Sequence, residues 1–289
     1  MREIEFIIAE KDNGRQIKDF LHDFGVSASL LARLKQTENG ITKNGEFAKA
    51  IERLSAGDRL QIRIESKGHM PTPSEDTLEI AYEDEDILVV NKPPFMPVHE
   101  SRNHIGDTLS NAVAAHLAGE ESTSFRAVYR LDRDTSGLVV IAKNELAAAK
   151  LAGKIEKDYY AIVCGEIKGS GTINAPIKRL GDSIIKRGIA PEGEGESAVT
   201  HYEAIKCKDG LTLLKIRLET GRTHQIRVHF SSIGHPLLGD TMYGAASNLL
   251  YRQALHCKDI CFTHPIIGKE MKISCNFPQD FENIIKENY

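Results

Sequence analysis

Residues 128–137, with the sequence VYRLDRDTSG, run directly into the apolar segment LVVIA at residues 138–142. Aliphatic and β-branched residues that follow a glycine in an unbroken run predict a buried β-strand. The decapeptide before this strand is polar and carries two arginines, two aspartates, a threonine and a serine. Polar groups anchored at the start of a rigid strand are where folds often place their chemistry. We therefore predict that Asp132 is a catalytic carboxylate.

Length and composition restrict the class of protein. A chain of 289 residues with 41% hydrophobic and 27% charged residues predicts a globular protein of about two domains. No apolar run approaches the roughly 18 residues of a membrane span, and the alternating N-terminus is not that of a signal peptide. Five cysteines without a C-x-x-C pair are typical of a reducing compartment, so we expect a cytoplasmic protein. Because the net charge is −4, a polyanion would have to bind a local basic patch.

Residues 1–66 predict a small α/β module. Apolar residues at helical spacing predict a helix over residues 14–24, and Ser27 can cap a second helix. The Asn44-Gly45 pair predicts a hairpin, and residues 59–64 alternate as a strand does. Residues 67–77 contain two prolines, a glycine and small polar residues, a composition typical of a linker. A second domain would then occupy residues 78–289.

The order of elements over residues 14–64 resembles the RNA-binding domain of the ribosomal protein S-four type. This resemblance implies that Arg33, Lys35 and Lys43 face RNA phosphates. A plain α/β appendage with a solvated basic face is the alternative. Composition does not decide between the two, because residues 1–66 hold 11 basic and 11 acidic side chains.

Residues 78–289 predict further strands and helices of an α+β domain. Helices are expected over residues 106–117 and 144–154, and strands over 87–90, 156–165, 198–207 and 211–218. The four acids at 83–86 indicate a hairpin turn, with a metal-binding carboxylate cluster as the weaker alternative. Residues 169–195 are loop-rich and hold basic pairs, which favours either an exposed basic arm or a merely flexible loop.

Residues 220–230, TGRTHQIRVHF, supply the local positive charge. Between Lys215 and His229 there are four lysines or arginines and one glutamate. Further along, residues 255–265 hold Cys257 and Cys261 with two histidines, which are ligand types that zinc accepts. The spacing and the alternation of this segment favour an edge strand over a zinc site.

Several of these segments together resemble the pseudouridine synthases of the RluA/RluD branch, which act on structured RNA. The resemblance covers residues 78–278. Its motifs occur in the family's order: VVNKP at 89–93, RLDRDTSG at 130–137, Lys157-x-Tyr159, GRTHQIRVH at 221–229, GHPLLGD at 234–240 and LH at 255–256. The chain departs from the family at Tyr129, where a histidine is common, and this departure concerns substrate preference more than catalysis.

The resemblance implies a mixed, mostly antiparallel central sheet flanked by helices and loops. It also implies an isomerase that breaks the N-glycosidic bond of uridine and rejoins the uracil through carbon 5, without cofactor or metal. Asp132 corresponds to the essential aspartate and Arg222 to the arginine that pairs with it. Tyr159 corresponds to the active-site tyrosine, a surface for the flipped uracil and a candidate proton acceptor at the ribose.

The remaining assignments concern substrate binding. Ile226 would line the base pocket, and Arg130 would take the place of the extruded base. Arg133, Arg227 and Lys157 would contact phosphates, although Arg133 and Asp134 could instead form a simple surface pair. Flipping the uridine costs a few kcal/mol, and stacking on an aromatic ring returns about 1–3 kcal/mol.

Two other functions fit parts of the sequence. A non-catalytic RNA-binding protein of ribosome assembly would need the basic patch but not a paired carboxylate. A carboxylate-dependent hydrolase would need a second acid, for which Asp134 is the nearby candidate. For the enzyme, ribosomal RNA is the expected substrate, with transfer RNA as the alternative, and we expect a monomer with no membrane partner.

Overall fold

A computed structural model describes residues 1–65, 68, 70–119, 124–181, 183–191, 193–244 and 246–288, with the side chains of residues 287 and 288 excepted. Residue 66 of the predicted module and residues 67 and 69 of the predicted linker lie outside this part of the chain. The described residues form a four-stranded sheet within residues 2–64, a nine-stranded sheet within residues 79–274 and a small two-stranded sheet within residues 177–189.

The N-terminal module is a four-stranded sheet covered by two helices. Its elements are β1 (Arg2–Ile7), a 3-10 turn (Glu10–Asp12), α1 (Ile17–Phe24), α2 (Ala28–Leu34), β2 (Ile41–Lys43), β3 (Glu46–Phe47) and β4 (Arg59–Ile64). The strand order is β1-β4-β2-β3. The predicted cap is present, because Ser27 Oγ accepts the amide hydrogen of Leu30. The predicted hairpin is present too, with Asn44 and Gly45 both at positive φ between β2 and β3.

This module packs directly on the second domain. The Arg2 guanidinium makes two hydrogen bonds of 2.9 Å to the buried carboxylate of Asp86, which also accepts a hydrogen bond from Asn144. Leu146 is buried within the apolar core of the module, although it belongs to a helix of the second domain. The two parts of the chain therefore share a core as well as an ion pair.

The second domain is built on a nine-stranded sheet. Its strands are β5 (Glu79–Glu83), β6 (Ile87–Lys92), β7 (Ser136–Ala142), β8 (Glu156–Cys164), β9 (Ser170–Asn174), β12 (Val199–Lys208), β13 (Leu211–Leu218), β14 (Leu255–Thr263) and β15 (Glu270–Ser274), while β10 (Ile177–Arg179) and β11 (Arg187–Ile189) form a separate hairpin. The order is β5-β6-β7-β14-β8-β13-β12-β9, with β15 also paired to β14. Only the short β14–β7 pairing is parallel among the described strands. The sheet is thus mixed and mostly antiparallel, as expected.

The helices of this domain are shorter than the sequence pattern suggests. They are α3 (Leu109–His116), α4 (Glu145–Leu151), α5 (Gln225–Ser232) and α6 (Gln279–Asn288). Asn144 caps α4 by accepting the amide hydrogen of Ala147. Within the described residues no helix is long and apolar enough to cross a membrane.

The prediction of a strand within residues 255–265 is confirmed by β14, but its placement at an edge of the sheet is wrong. Strand β14 lies inside the sheet, where it pairs with β7, β8 and β15. The alternation of polar residues suggested an edge strand, but these side chains have hydrogen-bond partners within the fold. For example, His256 Nδ1 lies 2.9 Å from Ser136 Oγ. At the crossing with β7, a Cβ on Gly137 would lie 2.2 Å from the carbonyl oxygen of Cys257, and the φ of Gly137 is +118°. The glycine of the opening motif is therefore required by both its conformation and this close approach.

Candidate active site

Asp132 lies in a tight turn that leads into the central strand β7. The amide of Thr135 donates to the Asp132 carbonyl at 3.1 Å, and Leu131 before it is buried. This fixes the backbone on both sides of the aspartate. Its side chain is 28% exposed, enough to contact a ligand from solvent. The turn opens into a cleft of about 760 Å³ that runs from residues 97–101 to residues 218–224.

Arg227, not Arg222, is the arginine that contacts the aspartate. Arg227 Nη1 lies 3.2 Å from Asp132 Oδ2, and its Nε and Nη2 bind both oxygens of the buried Asp240 at 2.7 and 2.9 Å. Burial opposes the charge of Arg227, but hydrogen bonds and charge from Asp240, with charge from Asp132, outweigh it and raise the pKa of Arg227. Asp240 thus holds the cationic guanidinium of Arg227 in place beside Asp132.

The predicted pairing of Arg222 with Asp132 is contradicted by the structure. Arg222 lies in the turn between β13 and α5, and its Nη1 lies 3.0 Å from Glu196. The Gln225 side chain holds this turn by accepting hydrogen bonds from the Arg222 amide and from Thr220. The turn still leaves Arg222 in the lining of the pocket that contains Asp132.

Tyr159 and Ile226 line that same pocket beside Asp132. Tyr159 comes from β8 and Ile226 from the first turn of α5, and both side chains are nearly buried. Burial raises the pKa of Tyr159 well above its usual value, with nearby Cys257 and Asp132 adding to the effect. The phenol is therefore neutral at physiological pH, which favours a stacking surface over a proton acceptor.

The predicted RNA-facing residues of this domain are in different situations. Arg130 is exposed at the pocket rim. Arg133 pairs with the adjacent Asp134, with Nε 2.6 Å from Oδ1, which is the surface pair considered as the alternative. Lys157 lines the cleft, donates to the Ile155 carbonyl and lies 4.6 Å from the ring centroid of Tyr129. The tyrosine that departs from the family pattern thus borders the cleft and contacts a cation there.

Lys92 lies in the VVNKP motif, but the sequence analysis assigned it no role. It is fully buried, and its Nζ donates to the carbonyls of Pro93, Met96 and Arg133 at 2.8, 2.8 and 3.0 Å. It therefore ties the end of β6 to the turn that carries the aspartate. Burial lowers the pKa of Lys92 to about 7. A lysine at the end of an apolar strand was the available signal, since an unpaired lysine is almost never fully buried.

His224 and Tyr243 also went unassigned in the sequence. His224 Nε2 lies 3.8 Å from Asp132 Oδ2, and its Nδ1 lies 2.9 Å from the Tyr243 hydroxyl. The backbone of His224 is left-handed, with φ of 58°. Non-glycine residues are uncommon in that conformation, although histidine adopts it more often than most.

The basic residues of the N-terminal module do not form one free face. Arg33 forms an ion pair with Glu145 at the start of α4, and Lys43 donates to the Arg53 carbonyl and approaches Glu52 at 3.5 Å. Lys35 is exposed. Of the three residues predicted to bind phosphate, Arg33 is the one that is paired with the second domain instead.

The candidate metal ligands are engaged in hydrogen bonds. His256 contacts Ser136 through one ring nitrogen and Cys275 Sγ through the other, while His264 Nε2 lies 2.8 Å from Asp84. Asp84, Asp86 and His264 are the one group of three potential ligands found in the described part of the chain. Asp86 of this group is paired with Arg2 and so takes part in the contact between domains.

Comparison with known proteins identifies the class to which this fold and site belong. A family model described as RNA pseudouridylate synthase matches residues 86–232. The uncharacterized RNA pseudouridine synthase YjbO of Bacillus subtilis is 38% identical over 94% of this chain and 99% of its own. The ribosomal large subunit pseudouridine synthase D of Zymomonas mobilis is 42% identical over 74% of each chain. The solved structure of human RNA pseudouridylate synthase domain containing 1 superposes with a TM-score of 0.59 at 26% identity, covering 72% of this chain and 87% of that one.

The chain belongs to the RNA pseudouridylate synthase family. It is accordingly an isomerase that converts uridine in RNA into pseudouridine. This result favours the enzyme over the non-catalytic RNA-binding protein and over the hydrolase.

Proposed function

We propose that the protein modifies uridines of large-subunit ribosomal RNA and that Asp132 is its catalytic residue. The observation that supports the assignment of Asp132 is its contact geometry. Among the described residues, its contacts with Arg227 and His224 are both made through Oδ2. Oδ1 then faces the ribose, as a nucleophile or base that needs no activation at neutral pH.

The other groups at the site have distinct tasks in this proposal. Tyr159 supplies a neutral aromatic surface for the extruded uracil, which returns about 1–3 kcal/mol per stacked base. Ile226 bounds the base pocket. Arg130 at the rim fills the space that the base vacates, and Arg222 and Lys157 attract the flanking phosphates.

The substrate assignment follows relatives such as the ribosomal large subunit pseudouridine synthase D of Zymomonas mobilis. The N-terminal module, which we regard as an S-four-like domain over residues 1–66, would add RNA affinity through Lys35 and Lys43. Five free cysteines among the described residues fit a cytoplasmic location. A linker over residues 67–77 would precede the catalytic domain, and the enzyme would act as a monomer.

The test uses RNA that carries tritium on carbon 5 of uridine. Forming the new bond at carbon 5 expels that tritium, so its release measures turnover. We expect release from large-subunit ribosomal RNA, less from small-subunit ribosomal RNA or transfer RNA, and none with Asp132→Asn. Full activity of Asp132→Asn would remove Asp132 from the mechanism, and preference for transfer RNA would overturn the substrate assignment.

A further inference from the structure

His224 occupies a costly conformation beside the catalytic turn. Its φ of 58° lies in the left-handed region, where non-glycine residues are strained. Its side chain is 9% exposed, and its two ring nitrogens face Asp132 and Tyr243. Strain of this kind persists where the surroundings hold a side chain in place. The ring is therefore directed toward Asp132 by the fold.

The hydrogen bonds around Tyr243 define which nitrogen of His224 carries the hydrogen. The amide of Arg187, in the β10–β11 hairpin, donates to the Tyr243 hydroxyl oxygen at 2.9 Å. The hydroxyl hydrogen is then available to donate to His224 Nδ1, also at 2.9 Å. A neutral imidazole that accepts at Nδ1 carries its hydrogen on Nε2. That is the nitrogen 3.8 Å from Asp132 Oδ2.

The charges around the imidazole are compatible with the neutral form. Asp132, Arg227, Asp240 and Arg187 surround His224, with Tyr243 edge-on to it. Burial lowers the pKa of His224, with the arginines adding to the decrease and the two aspartates opposing it. Burial also raises the pKa of Tyr243, so the phenol keeps its hydrogen.

We propose that His224 and Tyr243 form a positioning pair that donates, from His224 Nε2, a hydrogen bond to Asp132 Oδ2 when RNA closes the site. Hydrogen bonds of a catalytic carboxylate are often long in the free enzyme and shorten with substrate bound. Arg227 and His224 together then hold Oδ2 and leave Oδ1 to react. The pair also links the aspartate to the backbone of the β10–β11 hairpin. This inference rests on the proposed role of Asp132.

A purely structural role for His224 makes the opposite prediction for two amide variants. Asparagine is favoured in the left-handed conformation, so a structural role predicts that His224→Asn outperforms His224→Gln. The amide nitrogen of glutamine reaches the place of Nε2, whereas that of asparagine reaches the place of Nδ1. The positioning role therefore predicts that His224→Gln outperforms His224→Asn.

We expect His224→Asn to lower kcat about 100-fold and His224→Gln to keep kcat within about tenfold, as for misplacement of a reacting group. Tyr243→Phe should lower kcat about tenfold and leave the KM for RNA unchanged, because its ring and the RNA-facing surface stay in place. Tyr251→Phe is the matched control, since Tyr251 is 81% exposed, and it should retain full activity. The positioning pair would be refuted if His224→Asn were more active than His224→Gln, or if Tyr243→Phe kept the wild-type kcat. In either case, tritium release by the wild type would still support the proposed function.

A second measurement needs no RNA and no turnover. Ring-nitrogen NMR spectra of the free protein report the tautomer of each histidine, and loss of one signal set in His224→Gln identifies that residue. We expect the Nε2–H tautomer in the wild type and a mixture of tautomers in Tyr243→Phe. The Nδ1–H tautomer in the wild type would refute the inference even if every variant were inactive.

Discussion

Replacing Arg227 by glutamine removes the cation that joins the catalytic carboxylate to a buried one. The side chain of Asp240 is 1% exposed and that of Arg227 is 7% exposed. Removing one partner of such a pair leaves an uncompensated buried charge, which costs about 3–5 kcal/mol of stability. The additional substitution Asp240→Asn removes that charge while keeping an oxygen for the amides of Met242 and Tyr243, which now donate to Asp240. The double variant should therefore recover much of the lost stability.

Activity should not recover with stability. Coulomb's law at 3.2 Å gives an upper bound of about 5 kcal/mol for unit charges at an effective dielectric constant of about 20. Because the Asp132 side chain is 28% exposed, solvent screening leaves about 2–3 kcal/mol to hold the carboxylate in place. Misplacement of the released carboxylate should lower kcat roughly 100-fold. Both the single and the double variant should show this loss, since both lack the cation next to Asp132.

Urea denaturation measures stability in this experiment, and tritium release at a temperature where all variants are folded measures kcat. Arg222→Gln is the matched control, because its ion pair with the exposed Glu196 should contribute less than about 1 kcal/mol. Recovery of kcat together with stability in the double variant would refute the electrostatic role of Arg227. A larger loss of kcat in Arg222→Gln than in Arg227→Gln would return the pairing role to Arg222.

Three further outcomes are expected. Lys92→Met should lower kcat at least tenfold with little change in KM, because the carbonyl of Arg133 loses its tether to β6; unchanged kcat in steady-state assays would contradict this. In filter-binding titrations, Lys35→Gln should weaken RNA binding and reduce the slope of log affinity against log salt by about 1. Arg33→Gln should change that slope less, because Arg33 is already paired with Glu145. Equal changes of slope in the two variants would argue against RNA binding by Lys35. Burial opposes ionisation of Asp158, but hydrogen bonds and charge from Arg217 and Lys215 outweigh burial and lower the pKa of Asp158. Its contribution to stability is therefore present above the unfolded pKa of about 4 and is lost as the pH falls through the folded value. Urea denaturation should therefore show a smaller loss of stability on acidification for Asp158→Asn than for the wild type, and equal losses would exclude this contribution.

The sequence predicted the elements whose signals are local. The cap at Ser27, the Asn44 turn and the buried strand after Gly137 each depend on neighbouring residues, and each is present. Position within the sheet depends on distant pairing, so β14 was taken for an edge strand although three strands flank it. Its polar residues have hydrogen-bond partners on other elements, such as Ser136 of β7 for His256, and no local sequence pattern indicates such partners.

The same division holds for the site. The motifs predicted that Asp132, Tyr159 and Arg222 lie together, and all three line one pocket. Which arginine contacts the aspartate depends on the turn before α5, because the side chains of residues 225–230 at the start of that helix are all buried. Arg222 precedes that helix, and Arg227 lies on its inner face against Asp240. The two arginines are only five residues apart, so the sequence does not show which of them contacts the aspartate.

Packing of Leu146 within the N-terminal module limits how modular this chain is. A chimera that takes its first 65 residues from a relative would replace both the residues that pack around Leu146 and Arg2, the partner of Asp86. The exchangeable unit therefore includes the outer face of α4 as well as the module. Changes on the two sides of that contact must be compatible, so substitutions in α4 and in the module should be inherited together.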